Sequence, residues 1–351
     1  MDLSIAAILA QDGITSGAIY ALLALALVLV FSVTRVIFIP QGEFVAFGAL
    51  TVAALQSSRF PHSATLLVAL GVACFLVEVV GTMRNAERRH GAARSIPVAA
   101  LKFLAFPIAL YVVTQAVAAA QAPMLAQVAL ALAIVIPMGP MVYRLAFQPL
   151  AEASTLVLLI VSVGTHFALI GLGLVMFGAE GSRTTPFSDA RIEIGALAIS
   201  GQSLVIVAVS ILLIVSLYLY FERTLSGKAL RATAVNRLGA RLVGIGTTQA
   251  GRLAFTLAAA MGALCGVLIA PLTTVYYDSG FLIGLKGFVG AIIGGLASYP
   301  IAAAGAVMVG LLESYSSFWA SALKEVIVFT LIIPVLLWRS LTSKHVEEEE
   351  E

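Results

Sequence analysis

The chain has 351 residues, of which 61% are hydrophobic and 11% charged, against roughly 25% charged in an ordinary soluble domain. At about 20 apolar residues per crossing this suffices for about ten or eleven membrane spans, which excludes a soluble enzyme, a nucleic-acid-binding domain and a disulfide scaffold. The formal charge of +2 hides a basic surplus, because five of the 18 acids form the terminal run 347–351.

In chain order, hydropathy predicts spans near 10–34, 43–57, 63–83, 97–120, 123–143, 154–178, 199–220, 251–271, 282–298, 300–317 and 322–338. The amino end lacks the basic region and small-residue cleavage site of a signal peptide, so the first apolar run is expected to stay in the mature chain. Cys74 and Cys265 lie inside apolar runs and read as small buried hydrophobes. Basic residues flank the spans at Arg84, Arg88, Arg89 and Arg94, at Arg144, along 222–252, and at Arg339 and Lys344. Basic flanks mark the cytoplasmic side. Placing all four inside requires an odd number of spans, with the N-terminus outside and the C-terminus inside. The outer loops then hold Arg59 and the segments 179–195 and 273–280. The expected fold is all-α: a multi-pass integral membrane protein of about 11 transmembrane helices, some discontinuous. It forms a single transmembrane domain over 1–340, with an acidic, low-complexity tail at 341–351.

Two interruptions stand out. The first apolar run ends in Arg35-Val-Ile-Phe-Ile-Pro40-Gln-Gly-Glu43 before apolar character resumes, and Gly280, Gly284 and Gly287 suggest a second break late in the chain. Broken helices at membrane depth persist only where protein or a water-lined cavity satisfies the freed backbone, and paired interruptions in two halves of a transporter mark a pathway. A charged residue accompanies each break, Glu43 and Lys286, and the two are expected to face each other as an opposite-charge pair. Glu78 and Glu313 read as locally paired, and His166, beside Thr165 and Ser162, as a satisfied packing histidine. Tyr276, Tyr277 and Asp278 read as an outer aromatic anchor. Small residues at Ala258–Ala260, Gly262, Cys265, Gly266, Gly290, Gly294 and Gly295 predict close helix packing.

The hydrophilic loop is the most informative segment. Ala229, Leu230, Ala232, Ala234, Val235 and Leu238 alternate with Arg231, Asn236, Arg237 and Arg241 at helical spacing, which predicts a short amphipathic helix pair capped by glycines. Such a pair fits a surface helix, a topogenic loop, or a helix laid into a partner's groove. Its order of residues resembles the cytoplasmic coupling loop of branched-chain amino acid (LIV-type) ABC-importer permeases, in Gly227, Ala229, Arg231, Ala232, Ala240, Arg241, Gly244 and Ile245. The resemblance extends through 255–266, 284–288 and 294–298, through Gly17 to Tyr20 and Gly42-Glu43-Phe44, and through Gln148-Pro149-Leu150 to Gly164. It covers most of the chain outside roughly 84–122, which reads as an insertion carrying an extra helix with Lys102 and Pro107.

The resemblance implies a permease subunit in the cell inner (plasma) membrane, moving a branched-chain amino acid or a related small amino-acid or carboxylate solute inward. It implies a second permease as a heterodimer partner, two cytoplasmic ATP-binding subunits that hold ATP and magnesium, and an external solute-binding protein. Surrounding lipid is a further partner, and nucleic acid is not. Gly227, Arg231, Ala232, Asn236, Arg237, Arg241, Gly244 and Ile245 would then form the ATPase-coupling element within 222–252. Gln41, Gly42, Glu43, Ser162, Thr165 and Lys286 are the candidate pathway residues. No Walker-type phosphate loop, metal-ligand spacing or hydrolase motif occurs, so neither cofactor nor catalysis is expected in this chain. Where the family usually has Asn-Phe-Ala-His-Gly, this chain has Phe38-Ile39-Pro40-Gln41-Gly42, which leaves amides, urea and aromatic acids open as solutes. The alternative from a different class is a stand-alone carrier driven by an ion gradient through Glu43 and Lys286.

Overall fold

A computed structural model describes residues 3–84, 92–120, 122–194 and 197–342. Arg88, Arg89 and the acidic run 347–351 lie outside the described residues. The architecture is α-helical and multi-pass. Nine helices among the described residues are long and apolar enough to cross a membrane. The remaining two predicted spans fall on shorter helices, α2 (Gln41–Gln56) and α13 (Ser279–Ile293), of 16 and 15 residues. At 1.5 Å per residue these extend about 24 and 22 Å, short of a hydrocarbon core of about 30 Å.

The centre of the molecule is α1 (Leu3–Thr34), whose segment from Ile19 to Val30 is buried on every side. A helix apolar all round belongs in a protein interior. It packs against α12 (Thr247–Ile269), α13 and α14 (Tyr299–Trp319), and α2 lies on α12 and α13. Between membrane helices, where lipid is as apolar as leucine, association depends on close van der Waals approach. The small-residue face of α12 supplies that approach: Gly266 abuts the Val45 carbonyl and Gly262 abuts Phe44.

Around this core stand α3 (Ser63–Arg84), α6 (Met124–Val135), α8 (Thr155–Phe177) and α9 (Gly201–Arg223). Segment 84–122 contains α4 (Ala92–Ala100), a π-helical turn (Leu101–Ala105) and α5 (Phe106–Ala119), which lean on α3. Lys102 is exposed, its ammonium over the Phe103 ring. The short α7 (Met138–Val142) leads through a π turn to 148–154, and an antiparallel hairpin of β1 (Arg191–Ile194) and β2 (Leu197–Ser200) precedes α9. The segment before that hairpin is tied to 270–275 by paired Ser182–Val275 backbone bonds and by Arg183 donating to the Pro271 carbonyl. The carboxyl end of the described chain forms α15 (Lys324–Thr330) and α16 (Ile332–Thr342). Both cysteines are free and buried, as expected.

One expectation is overturned. Gly280, Gly284 and Gly287 do not break a helix; all three lie inside α13. Their function is steric. A β-carbon on Gly42 would overlap the Gly280 carbonyl oxygen, and one on Gly280 would overlap the Gly42 carbonyl, so the starts of α2 and α13 cross backbone against backbone. Glycine is read as a breaker in isolation, yet at a helix crossing it permits contact.

Candidate functional site

The first break is real. α1 ends at Thr34, where Arg35 takes a left-handed conformation (φ 62°) and its N–H caps the Phe31 carbonyl at 2.7 Å. That position usually belongs to glycine. The chain then runs without helix to Pro40, and Phe38 anchors the gap by inserting between Phe44, Phe147 and Phe255, with ring centroids 4.7–5.9 Å apart. α2 starts at Gln41 in the interior of the bundle.

The polar groups at this break come from two helices. Gln41 Nε2 donates to the Ala258 carbonyl at 2.9 Å, which fixes the amide and leaves Oε1 buried without a partner among the described residues. The fully buried Glu43 meets His166 Nδ1 through Oε1 at 3.0 Å, while its Oε2 has no hydrogen-bond partner among the described residues. The imidazole lies 4.6 Å from the Phe281 ring. The Ile39 N–H donates to Ser162 Oγ at 2.9 Å, in addition to a 3.0 Å contact with the Ile37 carbonyl. Beside these groups opens an apolar cavity of about 270 Å³, walled by Leu27, Ile37, Phe38, Leu159, Phe281, Leu285 and Phe288, with Gln41 at its edge.

Of the six predicted pathway residues, Gln41, Gly42, Glu43 and Ser162 meet here. Thr165 does not join them, since its hydroxyl bonds back to the Val161 carbonyl of its own helix. His166 belongs to the site although the sequence read it as packing. The signal was its i+4 spacing from Ser162, which puts both on one helix face. The polar partners of the break are thus Gln41 and an imidazole from a distant helix.

Lys286 sits elsewhere. Its Nζ contacts Glu313 Oε1 at 2.5 Å and Glu325 Oε1 at 3.2 Å, and Tyr20 donates its hydroxyl to Glu313 Oε2 at 2.5 Å. The expected Glu43–Lys286 pair is therefore absent, because each residue finds a nearer partner of complementary type on another helix. Glu313 and Glu78 are both paired locally, the latter with Arg144.

On the hydrophilic loop the helix pair is present as α10 (Leu225–Val235) and α11 (Arg237–Leu242). The caps differ from those expected. Thr224 and Asn236 side chains accept from Gly227 N and Gly239 N at 2.9 and 2.7 Å, and of the loop's described glycines only Gly244 (φ 84°) follows a helix in the left-handed form. Gly227 is instead pressed against the backbone of Tyr220 and Phe221. Leu230, Thr233 and Ala240 anchor the pair inward. The arginines turn back onto their own subunit: Arg231 pairs with Glu222, Arg237 Nη1 donates to the Ala151 carbonyl at 2.8 Å, and Arg241 Nη1 meets Glu152 at 3.0 Å. Ala232 and Ile245 are half-buried. Five large apolar side chains face outward, Leu225, Val235, Leu238, Leu242 and Val243, between 69% and 87% exposed, beside the exposed polar Ser226, Lys228 and Asn236.

Comparison with known proteins gives a consistent result. The family described as branched-chain amino acid transport system, permease component, matches residues 9–336. The chain is 30% identical over 206 residues to the high-affinity branched-chain amino acid transport system permease protein LivH of Escherichia coli K12, covering 57% of this chain and 67% of that one. It is 29% identical over 225 residues to BraD of Pseudomonas aeruginosa, covering 62% and 73%, and 27% identical over 184 residues to a probable LivH of Methanocaldococcus jannaschii, covering 51% and 58%. No solved structure matches the chain.

Proposed function

Because the chain belongs to the family of permease components of branched-chain amino acid transport systems, we propose that it is the membrane subunit of an ABC importer, carrying a branched-chain or related small amino-acid or carboxylate solute inward. It crosses the inner membrane eleven times, counting the two short helices, with the N-terminus outside and α10–α11 in the cytoplasm. A second permease, two ATPase subunits that bind ATP and magnesium, and an external solute-binding protein complete the machine. Residues 84–122 are an addition to the family core, and 341–351 form a cytoplasmic tail.

The observation that carries this reading is the exposed apolar face of α10–α11. Five large hydrophobic side chains stand free on a hairpin outside the membrane-spanning helices, and an amphipathic helix of that kind lies in an apolar groove of a partner. We assign that partner as the ATPase. The apolar cavity beside the α1–α2 break supports a solute with an apolar side chain. A charge pair across the two predicted breaks does not support the alternative of a stand-alone carrier, since Lys286 is engaged by Glu313 and Glu325 and Glu43 by His166.

The test is co-purification of the ATPase subunits with the double variant Leu238→Ser, Leu242→Ser. Loss of the ATPase and of ATP-driven uptake, with normal membrane insertion, is expected. Retention of both would refute the docking role.

A further inference from the structure

α10–α11 and the broken helix lie at opposite ends of a chain of contacts, and one helix bridges them. The inner end of α8 follows the loop 148–154. α11 grips that loop through two side chains named above, Arg237 on the Ala151 carbonyl and Arg241 on Glu152, at 2.8 and 3.0 Å, and Arg252 of α12 reaches Gln148 at 3.5 Å. Two residues on, the Ser154 hydroxyl caps α8 by accepting from Val157 N. α8 then continues unbroken for 23 residues. Ser162 and His166 project from one face of it, about 12 and 18 Å above Ser154 at 1.5 Å per residue. They reach the Ile39 N–H, within the break, and the Glu43 carboxylate, in the first turn of α2.

The opposite face of α8 is mostly exposed among the described residues. Leu156, Ile160, Phe167 and Val175 are 63–83% exposed. α1 and α12, by contrast, are enclosed over most of their length. A stiff helix gripped at one end by the hairpin, and at mid-height by the break, shifts both together.

Resting on the permease reading above, we infer that α8 is the lever between ATPase docking and the α1–α2 break, with Glu152, Ser162 and His166 as its positioning residues. Displacement of α11 moves 151–152, α8 follows as a body, and Ser162 and His166 draw on Ile39 and Glu43. The hairpin also touches α1 directly through α10, so the two routes make different predictions for residues that lie only on the route through 151–152 and α8.

The experiment reconstitutes the full transporter in proteoliposomes and measures ATP hydrolysis and uptake of radiolabelled leucine, isoleucine and valine together. Glu152 is mostly exposed, so Glu152→Ala folds normally. It is expected to keep ATPase co-purification and hydrolysis while solute imported per ATP falls at least about fivefold, the lower end of usual coupling strengths. Ser162→Ala is expected to do the same, and Glu152→Asp to restore the ratio. A merely structural role would lower hydrolysis, uptake and thermal stability in proportion, and that result overturns the lever. So does an unchanged ratio in Glu152→Ala, even if Ser162→Ala fails to fold; the permease reading then survives. If the wild-type chain retains no ATPase, both fall.

Discussion

The imidazole of His166 and the carboxylate of Glu43 meet at 3.0 Å across 123 residues of sequence, both buried in the bundle and joined to the start of a helix that begins at membrane depth. An ionisable group in that position is expensive unless partnered. His166→Ala leaves Glu43 alone and is expected to cost about 1–3 kcal/mol of stability. A double-mutant cycle with Glu43→Gln, read by thermal unfolding in detergent, should return a coupling of about 0.5–3 kcal/mol. Strict additivity would mean the pair is not made.

At the crossing of α2 and α13, added volume has nowhere to go. Gly42→Ala and Gly280→Ala each force backbone apart and should destabilise by at least about 1–3 kcal/mol. Gly81 and Gly171 have open space around a β-carbon. Alanine there should be neutral, or stabilising by up to about 1 kcal/mol through reduced backbone entropy in the unfolded chain. Melting temperatures of the four variants, side by side, check the contrast.

Lys286 holds two carboxylates at once. Lys286→Met leaves Glu313 and Glu325 without their shared cation and is expected to cost about 3–5 kcal/mol. Adding Glu313→Gln and Glu325→Gln should return much of that, because the neutral amides no longer need the ammonium. Unfolding of the single and triple variants measures the recovery.

On the hairpin, burial separates folding from docking. Leu230 is on the buried side of α10, so Leu230→Ala should cost about 2–5 kcal/mol. Leu242 is 80% exposed, so Leu242→Ala should change stability by less than about 0.5 kcal/mol. If the ATPase covers this face, the order reverses in a binding assay: Leu242→Ala weakens association by at least about 1 kcal/mol, as expected of an interface anchor.

Much of the molecule was legible from residue order alone. Apolar runs of span length, arginines at span ends and the α10–α11 pattern each depend on local composition, which a membrane reads directly as solvent. The proline-glycine break before Glu43 was legible for the same reason, since the loss of a backbone donor is a property of the residue itself. Partnership was not. Whether Gly280 breaks a helix or admits a neighbour, whether Glu43 faces Lys286 or His166, and whether the hairpin's arginines point outward or onto Ala151 and Glu152 all depend on which helices become neighbours. Tertiary structure decided these, because the strength of a buried contact is set by distance and desolvation between segments far apart in sequence, 86 to 123 residues for the hairpin arginines and the Glu43–His166 pair, and neither is encoded in the spacing along one of them.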